Sequence, residues 1–305
     1  MKPKIDHIIA QASSIILGKQ DVLKLAVAAI LAKGHILLED LPGVGKTTLA
    51  LTLAKVMGLG YQRIQFTSDM LPADILGVSI FNQNKHQFDF HKGPVFSNVV
   101  LADEVNRATP KAQSALLEAM EEGQVSIDGE TRALPQPFFV IATQNPTDQI
   151  GTFPLPEAQL DRFLMCLYLG YPNHQAEREL LQGENRRTLL QAMEPAVSKP
   201  ELQQIQAAVE QVHASDALLD YLQALLDFTR RQPEFLFGLS PRSGIAILRA
   251  GKAWALMHDR SDVIPEDIQA VLAAVTRHRL IPSAEGHSQH VDNLPQFLLH
   301  EVAIP

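Results

Sequence analysis

A glycine-rich segment that directly follows a short apolar run has the composition of a phosphate-binding loop. Residues 39–48 read Glu-Asp-Leu-Pro-Gly-Val-Gly-Lys-Thr-Thr, and a helical pattern follows them. Successive backbone N–H groups in such a turn converge on phosphate oxygens at a positive helix end. Lys46 would reach the β- and γ-phosphates of ATP, and the hydroxyl of Thr47 would bind Mg²⁺. The residues predicted to contact the nucleotide here are Pro42, Gly43, Val44, Gly45, Lys46, Thr47 and Thr48.

One position in this loop departs from the usual pattern Gly-x-x-x-x-Gly-Lys-Ser/Thr. Asp40 stands where the first glycine belongs. A carboxylate that pointed into the loop would repel phosphate, so we expect it to point outward or to form a hydrogen bond within the local turn. The alternative to phosphate binding is a strand-to-helix turn with a chance lysine. The strand before the loop and the helix after it disfavour that alternative.

Two consecutive acids end a second apolar run. Asp103 and Glu104 follow residues 99–102, and a buried strand places its last residues at the carboxyl edge of a sheet, where ligands bind. Asp103 would hold Mg²⁺ directly or through water. Glu104 would orient and deprotonate the attacking water. Alone, the pair fits an acidic turn equally well; beside the phosphate-binding loop, it predicts ATP hydrolysis.

Three further side chains complete the predicted site. Asn145 follows another β-rich run and would hold the water against the γ-phosphate, although an asparagine before proline is also a common turn residue. Arg162 and Arg242 would stabilise charge on the transferring phosphoryl group. Either arginine could instead form a surface ion pair, Arg162 with Asp161 or Glu157.

The elements that must position these residues alternate along the first half of the chain. β-rich runs occupy residues 36–38, 63–66, 99–102 and 138–143, and helical patterns occupy residues 47–57 and 110–122. This alternation is typical of a parallel sheet flanked by helices. Thr109 and Gly123 are typical residues for the ends of the second helix. Residues 78–91 and 125–134 each predict a β-hairpin that projects from the sheet.

Helical patterns dominate beyond Tyr171. They cover residues 175–187, 199–212, 216–231, 241–258 and 265–278. The predicted fold class is therefore α/β. We expect a nucleotide-binding core with two hairpin insertions over residues 1–171, and an all-helical domain with a C-terminal tail over residues 172–305.

Composition limits the classes of function. A net charge of -8 and a sequence pI near 5.8 disfavour a surface made for nucleic acid or anionic lipid. The longest apolar stretches, such as residues 25–32, are far shorter than the roughly 20 residues of a membrane-spanning helix. Cys166 is the single cysteine and lies in an apolar run, which predicts a buried free thiol. We expect a cytoplasmic protein without membrane insertion.

Taken together, these motifs resemble those of the AAA+ ATPases, and their amino-acid sequences are similar to those of the MoxR family. The likeness runs from about residue 15 to residue 281. Residues 103–108 and 113–122 are similar to the family almost letter for letter, as are residues 155–163. Asp40 in place of glycine also occurs in the loop of this family.

The resemblance implies a P-loop αβα sandwich with a five-stranded parallel sheet, followed by a helical lid. ATP would lie between core and lid and between neighbouring subunits of a ring, which we expect to be a hexamer. Asn145 would be the sensor on its strand, Arg242 the sensor from the lid, and Arg162 an arginine finger that reaches the next subunit's ATP. Leu17 and Gly18 resemble the segment that touches adenine, and the two hairpins resemble those that such rings turn toward their pore.

The resemblance also implies a role. MoxR-like proteins generally work as chaperone-like remodellers of protein partners, in complex assembly or metal-cofactor insertion, and often pair with von Willebrand factor A domain proteins. Two alternatives stay open, a ring ATPase that acts on nucleic acid and an ATP-gated scaffold without turnover. A GTP switch is disfavoured because residues 142–146 read Ala-Thr-Gln-Asn-Pro instead of the guanine-reading pattern.

Overall fold

The computed structural model describes residues 1–144, 152–183, 186–283 and 293–304. In chain order, its elements are α1 (Lys2–Ile15), α2 (Gln20–Leu31), β1 (His35–Glu39), α3 (Lys46–Val56), β2 (Tyr61–Gln65), α4 (Pro72–Leu76), β3 (Gly77–Asn82), β4 (Gln87–Lys92), β5 (Val99–Asp103), α5 (Pro110–Glu122), β6 (Gln124–Ile127), β7 (Glu130–Ala133), β8 (Phe139–Gln144), α6 (Glu157–Leu160), β9 (Phe163–Leu167), α7 (His174–Gln182), α8 (Arg186–Ala192), α9 (Lys199–Glu210), α10 (Asp216–Arg231), α11 (Pro241–Met257), α12 (Pro265–Thr276) and α13 (Leu294–Glu301).

A five-stranded parallel sheet forms the centre of the molecule, with the lateral order β2-β5-β8-β1-β9. Helices cover both of its faces, and alternate residues of one strand enter different cores. Ile36 and Leu38 belong to one hydrophobic cluster, while Leu37 belongs to the other. The predicted α/β class with a five-stranded parallel sheet is confirmed.

The edge strand β9 was not among the four β-rich runs found in the sequence. All five of its residues are buried, so its sequence is continuously apolar instead of alternating. Periodicity does not distinguish such a run from a buried helix. Cys166 lies in this strand and is buried, as predicted, and burial raises the pKa of its thiol.

Both predicted hairpins are present as separate two-stranded antiparallel sheets, β3–β4 and β6–β7. The turn of the second hairpin has positive φ at both Asp128 and Gly129, as a type I′ turn requires. The helix α5 also has its predicted ends. Thr109 Oγ1 accepts a hydrogen bond from the N–H of Ala112, and Gly123 follows with φ of 62°.

Beyond residue 171 the described chain is helical, but one predicted helix was wrong. The pattern over residues 175–187 corresponds to two helices, because α7 ends at Gln182 and α8 begins at Arg186. Gly183 directly follows α7, and a Cβ at this position would lie 2.6 Å from the carbonyl oxygen of Glu179, so a larger residue would not fit at this helix end. The other four predicted helices correspond to α9 to α12. Within the described ranges, no helix is both long and apolar enough to cross a bilayer.

The N-terminal helices α1 and α2 share a hydrophobic cluster with the helices beyond residue 171. Ile8 and Leu23 are fully buried in the same cluster as Ile247 of α11. Polar contacts close the end of α2, since Gln206 Nε2 donates to the carbonyl oxygen of Ile30 at 2.8 Å. Core and lid therefore pack tightly, and a division of the chain at residue 171 stays a prediction.

Two partly buried histidines attach the sheet to its flanking helices. His35 Nδ1 accepts from the N–H of Val140 at 2.9 Å, so its Nε2 is the donor to the carbonyl oxygen of Met120 at 3.1 Å. His278 Nε2 contacts the carbonyl oxygen of Phe163 at 3.0 Å. Burial lowers the pKa of His35 to about 4 and that of His278 to about 3.

These low pKa values predict that acid destabilises the fold. Between pH 6.5 and pH 4, the unfolded chain binds protons at both histidines that the folded chain excludes, so the free energy of unfolding decreases as pH falls. The expected decrease between pH 7 and pH 4.5 is roughly 5 kcal/mol, measured by urea unfolding at several pH values. A His35→Gln variant should lose less stability on acidification, whereas replacement of the exposed His7 by glutamine should not alter the profile. An identical profile for all three proteins would contradict this assignment.

Candidate active site

The predicted phosphate-binding loop connects the end of β1 to the start of α3. Gly43 and Gly45 have φ values of 85° and 100°, which glycine adopts far more readily than other residues. A Cβ at either position would meet no described atom within 4 Å, so the loop is open beside them. No described side chain caps α3, which begins at Lys46. Its first backbone N–H groups therefore form the kind of helix end that binds anions.

The Asp40 carboxylate is turned away from the open side of the loop. Its Oδ1 accepts from the N–H of Leu41 at 2.8 Å, and its Oδ2 accepts from the N–H of Gly170 at 2.6 Å. This confirms the expected local hydrogen bond and adds a second one, to the segment after β9. The carbonyl oxygen of Asp40 accepts from Lys46 Nζ at 2.7 Å. Burial lowers the pKa of Lys46, and the negative charge of Asp103 opposes that shift.

This geometry predicts that Asp40 stabilises the loop. In an Asp40→Asn variant, an amide N–H₂ would replace one acceptor and face a backbone N–H. We expect the free energy of unfolding to decrease by about 1–3 kcal/mol, measured by urea denaturation. Asp128→Asn in the exposed hairpin turn is the matched control, with an expected change within about 0.5 kcal/mol. Equal stabilities for the two variants would show that the Asp40 contacts contribute nothing.

Asp103 ends strand β5, and both neighbouring strands, β2 and β8, hold its carboxylate. Thr143 Oγ1 donates to Asp103 Oδ1 at 2.6 Å from β8, and Arg63 Nη2 donates to Asp103 Oδ2 at 2.6 Å from β2. The parallel register brings these side chains together, because Thr143 lies near the end of β8 and Arg63, in the middle of β2, stands opposite Leu101, two residues before Asp103. The carboxylate is thereby fixed close enough to the glycine loop for its charge to raise the pKa of Lys46 against the effect of burial.

Glu104 has a backbone conformation that is rare for a residue with a side chain. Its φ is 57°, and a short 3₁₀ turn, Val105–Arg107, begins immediately after it. The N–H of Glu104 donates to Thr143 Oγ1 at 2.8 Å. Its Oε2 accepts from Gln65 Nε2 at 2.9 Å and from Arg107 Nη1 at 2.8 Å. The consecutive carboxylates of Asp103 and Glu104 are thus held by different partners.

Four residues that hold these acids were missed in the sequence, namely Arg63, Gln65, Arg107 and Thr143. The available signal was position, since Gln65 and Thr143 stand at or near the carboxyl ends of the two strands beside β5. Asn145, predicted to position water, lies outside the described residues.

The predicted adenine segment lies against the connection to α7. Gly18 has φ of 68°, and a Cβ there would lie 2.9 Å from the Cβ of Ala176. The adjacent Lys19 donates through Nζ to the carbonyl oxygen of Tyr171 at 2.5 Å. Leu17 and Gly18 are therefore adjacent to the segment that joins the sheet to the C-terminal helices.

The two predicted arginines lie together, on one carboxylate. Arg162 Nη2 is 3.0 Å from Glu121 Oε2, and Arg242 Nη2 donates to Glu121 Oε1. Both arginines thus form ion pairs, but Arg162 does not pair with Asp161, which pairs instead with Arg279 at 2.6 Å. Arg242 stands in the first turn of α11, which Ser240 caps.

These arginines lie where the parallel strands of the sheet begin, whereas the glycine loop lies where β1 ends. The two groups are therefore at opposite ends of the strands. The arginines line a cavity of about 340 Å³ together with His35, the first residue of β1. The loop follows Glu39, the last residue of β1. Four residue steps of about 3.3 Å separate the ends of this strand, a distance of roughly 13 Å. The arginines and the loop of one chain therefore face different edges.

The cavity beside the arginines has a strong excess of positive charge. Its basic lining residues are Lys33, Arg162, Arg242, Arg249 and Arg279, and its acidic lining residues are Glu121 and Asp161. Such a surface attracts an anion that approaches from outside the chain.

The parallel sheet, the glycine loop and the C-terminal helices together define the class of the protein. It is an ATPase of the AAA type that carries an AAA lid domain. The model for the "ATPase family associated with various cellular activities (AAA)" matches residues 35–165, and that for the "AAA lid domain" matches residues 227–296.

Similar proteins narrow this class. Chaperone MoxR1 of Mycobacterium tuberculosis is 40% identical, with 98% of this chain and 80% of the relative covered. The YeaC protein of Bacillus subtilis is 43% identical, with 100% of this chain and 96% of the relative covered. A crystal structure of a protein from Cytophaga hutchinsonii superposes on this chain with a TM-score of 0.89 and 39% sequence identity. The match covers 100% of this chain and 96% of that protein's chain. The chain belongs to the MoxR family of AAA+ ATPases.

Proposed function

We propose that this chain hydrolyses Mg²⁺-bound ATP at a site shared between adjacent subunits of a ring. The observation that carries the proposal is the separation of the site into two halves. Asp103 and Glu104 lie beside the glycine loop, whereas Arg162 and Arg242 lie at the opposite edge of the sheet. An arginine stabilises phosphoryl charge only by contact. The arginines of one subunit would therefore serve the loop of its neighbour, and such head-to-tail contacts close into rings.

The loop fits ATP and Mg²⁺ by the chemistry of its donors. The open end of α3 and the ammonium group of Lys46 suit phosphate oxygens. The hydroxyl of Thr47 and the carboxylate of Asp103 are hard oxygen ligands of the kind that Mg²⁺ prefers, and they would hold it. When bound, Mg²⁺ neutralises charge on the β- and γ-phosphate oxygens.

Glu104 would accept the proton of the attacking water. Gln65 and Arg107 both donate to its Oε2, so the direction of this carboxylate is set by the fold. Asn145 would help to hold the water, and Leu17 with Gly18 would contact the adenine. A general base placed in this way typically contributes a factor of about 10²–10⁴ to the rate.

Arg162 would act as the finger in the adjacent subunit, and Arg242 would act beside it. Both guanidinium groups bind the same carboxylate of Glu121, so they present their charge from one place. The lid would therefore contribute Arg242 to the neighbour's ATP and not to its own. We expect the ring to be a hexamer in which residues 1–171 and 172–305 act as core and lid.

We further propose that the ring is cytoplasmic and remodels a protein partner, in complex assembly or metal-cofactor insertion. A relative named as a chaperone supports this role. So does the hairpin β3–β4, whose exposed apolar side chains include Ile80, Phe81 and Phe88. A protein with a von Willebrand factor A domain is the proposed partner. The net charge of -8 disfavours nucleic acid as the client.

Turnover at different degrees of assembly tests the shared site. Mg²⁺-dependent phosphate release would be measured over a range of protein concentrations, with the mass of the assembly followed by light scattering. Turnover per chain should rise as chains associate, and addition of DNA should not increase it. Full turnover by a monomeric chain would overturn the shared site, and DNA-stimulated turnover would favour the nucleic-acid alternative.

A further inference from the structure

Arg279, which follows α12, has an acceptor for each of its five N–H donors. Its Nε donates to Asp161 Oδ1 at 2.6 Å, and its Nη2 donates to the carbonyl oxygens of Asp161 and Phe163 at 3.1 Å and 2.7 Å. Its Nη1 donates to the carbonyl oxygen of Leu164 at 3.2 Å and to that of Val275. The side chain is 5% exposed. A lysine has fewer donors and lacks the planar fork, so it would not reproduce this set.

Most of these acceptors surround one residue. Asp161, Phe163 and Leu164 flank Arg162, the proposed finger, and the adjacent His278 also contacts the carbonyl oxygen of Phe163 at 3.0 Å. The lid thus holds the backbone on both sides of Arg162. Among the described residues, the side chain of Arg162 itself is held less completely, through one ion pair to Glu121.

The guanidinium group of Arg162 retains an unused donor. In the part of the chain that the structure describes, its Nε is buried and has no hydrogen-bond partner. A buried donor without a partner costs free energy, which an incoming oxygen acceptor would recover. The backbone around Arg162 is therefore fixed, while its side chain is incompletely bonded.

We propose that Arg279 is a positioning residue through which the lid fixes Arg162 for hydrolysis in the adjacent subunit. This inference rests on the proposed function. Burial lowers the pKa of Arg279, whereas its hydrogen bond to Asp161 raises it. Because its hydrogen-bond partners flank Arg162, a change at Arg279 should act on the half of the site that contains the arginines. Loss of Arg279 should therefore impair the neighbour's turnover and leave ATP binding at the chain's own loop intact.

The first test compares two lysine variants. Arg279→Lys should lower turnover of the assembled protein by about 10- to 100-fold, part of the effect of the finger itself, with unchanged ATP affinity. The matched control is Arg277→Lys. Arg277 is exposed and lies 5.1 Å from the ring centre of Tyr168, and its replacement should change turnover less than twofold.

A mixed assembly separates positioning from general damage. Glu104→Gln subunits keep their arginines but should not hydrolyse ATP, whereas Arg279→Lys subunits keep an intact loop. When assembled together, the mixture should regain about one quarter of wild-type turnover per subunit, because about one quarter of the sites combine an intact loop with an intact neighbour. A mixture of Arg279→Lys with Arg162→Ala should regain nothing.

The outcomes distinguish this inference from the proposed function. If Glu104→Gln restores turnover to Arg162→Ala but not to Arg279→Lys, the role of Arg279 is overturned and the shared site stands. If it restores neither, the shared site is overturned, and the inference with it. Should Arg279→Lys fail to assemble, Asp161→Asn carries the same comparison, because it weakens the pair from the other side.

Discussion

Replacement of Arg162 by alanine is expected to lower ATP turnover in the assembled protein by about a thousandfold, while ATP binding is unchanged. The physical reason is the position of Arg162 at the edge where the strands begin, beside His35 and away from the glycine loop. Its guanidinium group would meet the developing charge only on a neighbour's nucleotide. Binding at the chain's own loop does not depend on it.

Steady-state phosphate release and equilibrium nucleotide binding would measure these two effects. Arg162→Lys keeps the positive charge but loses the planar guanidinium fork, so we expect its ATP turnover to lie between that of the wild type and that of Arg162→Ala. Arg178 is exposed on α7, and its replacement by alanine is the matched control, with an expected change below twofold. Unchanged turnover for Arg162→Ala in a fully assembled protein would remove the finger assignment.

Replacement of Glu104 by glutamine has the second large expected effect. The variant should bind ATP normally and lose turnover by about a thousandfold, because an amide does not accept the proton of the attacking water. The change is conservative, since the amide oxygen still accepts from Gln65 and Arg107 in the place of Oε2. A general loss of structure is therefore not the expected cause of inactivity.

Single-turnover hydrolysis with excess protein is the appropriate measurement for Glu104, because it reports chemistry separately from product release. Glu118→Gln on the exposed side of α5 controls for the loss of one negative charge. Normal single-turnover hydrolysis by Glu104→Gln would exclude Glu104 as the base. Slow hydrolysis by the wild-type chain itself would instead favour an ATP-gated scaffold.

Local sequence was sufficient to predict the half of the candidate site whose residues are consecutive in the chain. The loop around Lys46 and the pair Asp103 and Glu104 are each short, and their chemistry follows from residue type and from the strand before them. Even the departure at Asp40 could be interpreted locally. What the sequence did not provide was its second partner, Gly170, which is distant along the chain.

The residues that orient the acids depend on strand order. Gln65 and Thr143 contact Glu104 and Asp103 because β2 and β8 lie on either side of β5 in parallel register. Alternating patterns predict that strands exist but not which strands are neighbours. The resemblance to a known family supplied the five-stranded fold but did not point to these side chains.

The grouping of Arg162, Arg242 and Arg279 depends on how the lid packs. Residues 161–164 meet α12 only after the C-terminal helices fold back onto the start of β9. Sequence alone allowed Arg162 to pair with Asp161, whereas tertiary packing gives Asp161 to Arg279 and Arg162 to Glu121. Long-range packing of this kind has no signal in residue spacing.

A mixture of two inactive variants tests the shared site most directly. Glu104→Gln and Arg162→Ala chains would be dissociated, combined in equal amounts and reassembled, and phosphate release would be compared with that of each variant alone. Turnover per subunit should recover to about one quarter of the wild-type value, because about one quarter of the sites then pair an intact Glu104 with a neighbour's intact Arg162. A mixture no more active than its two components would contradict it.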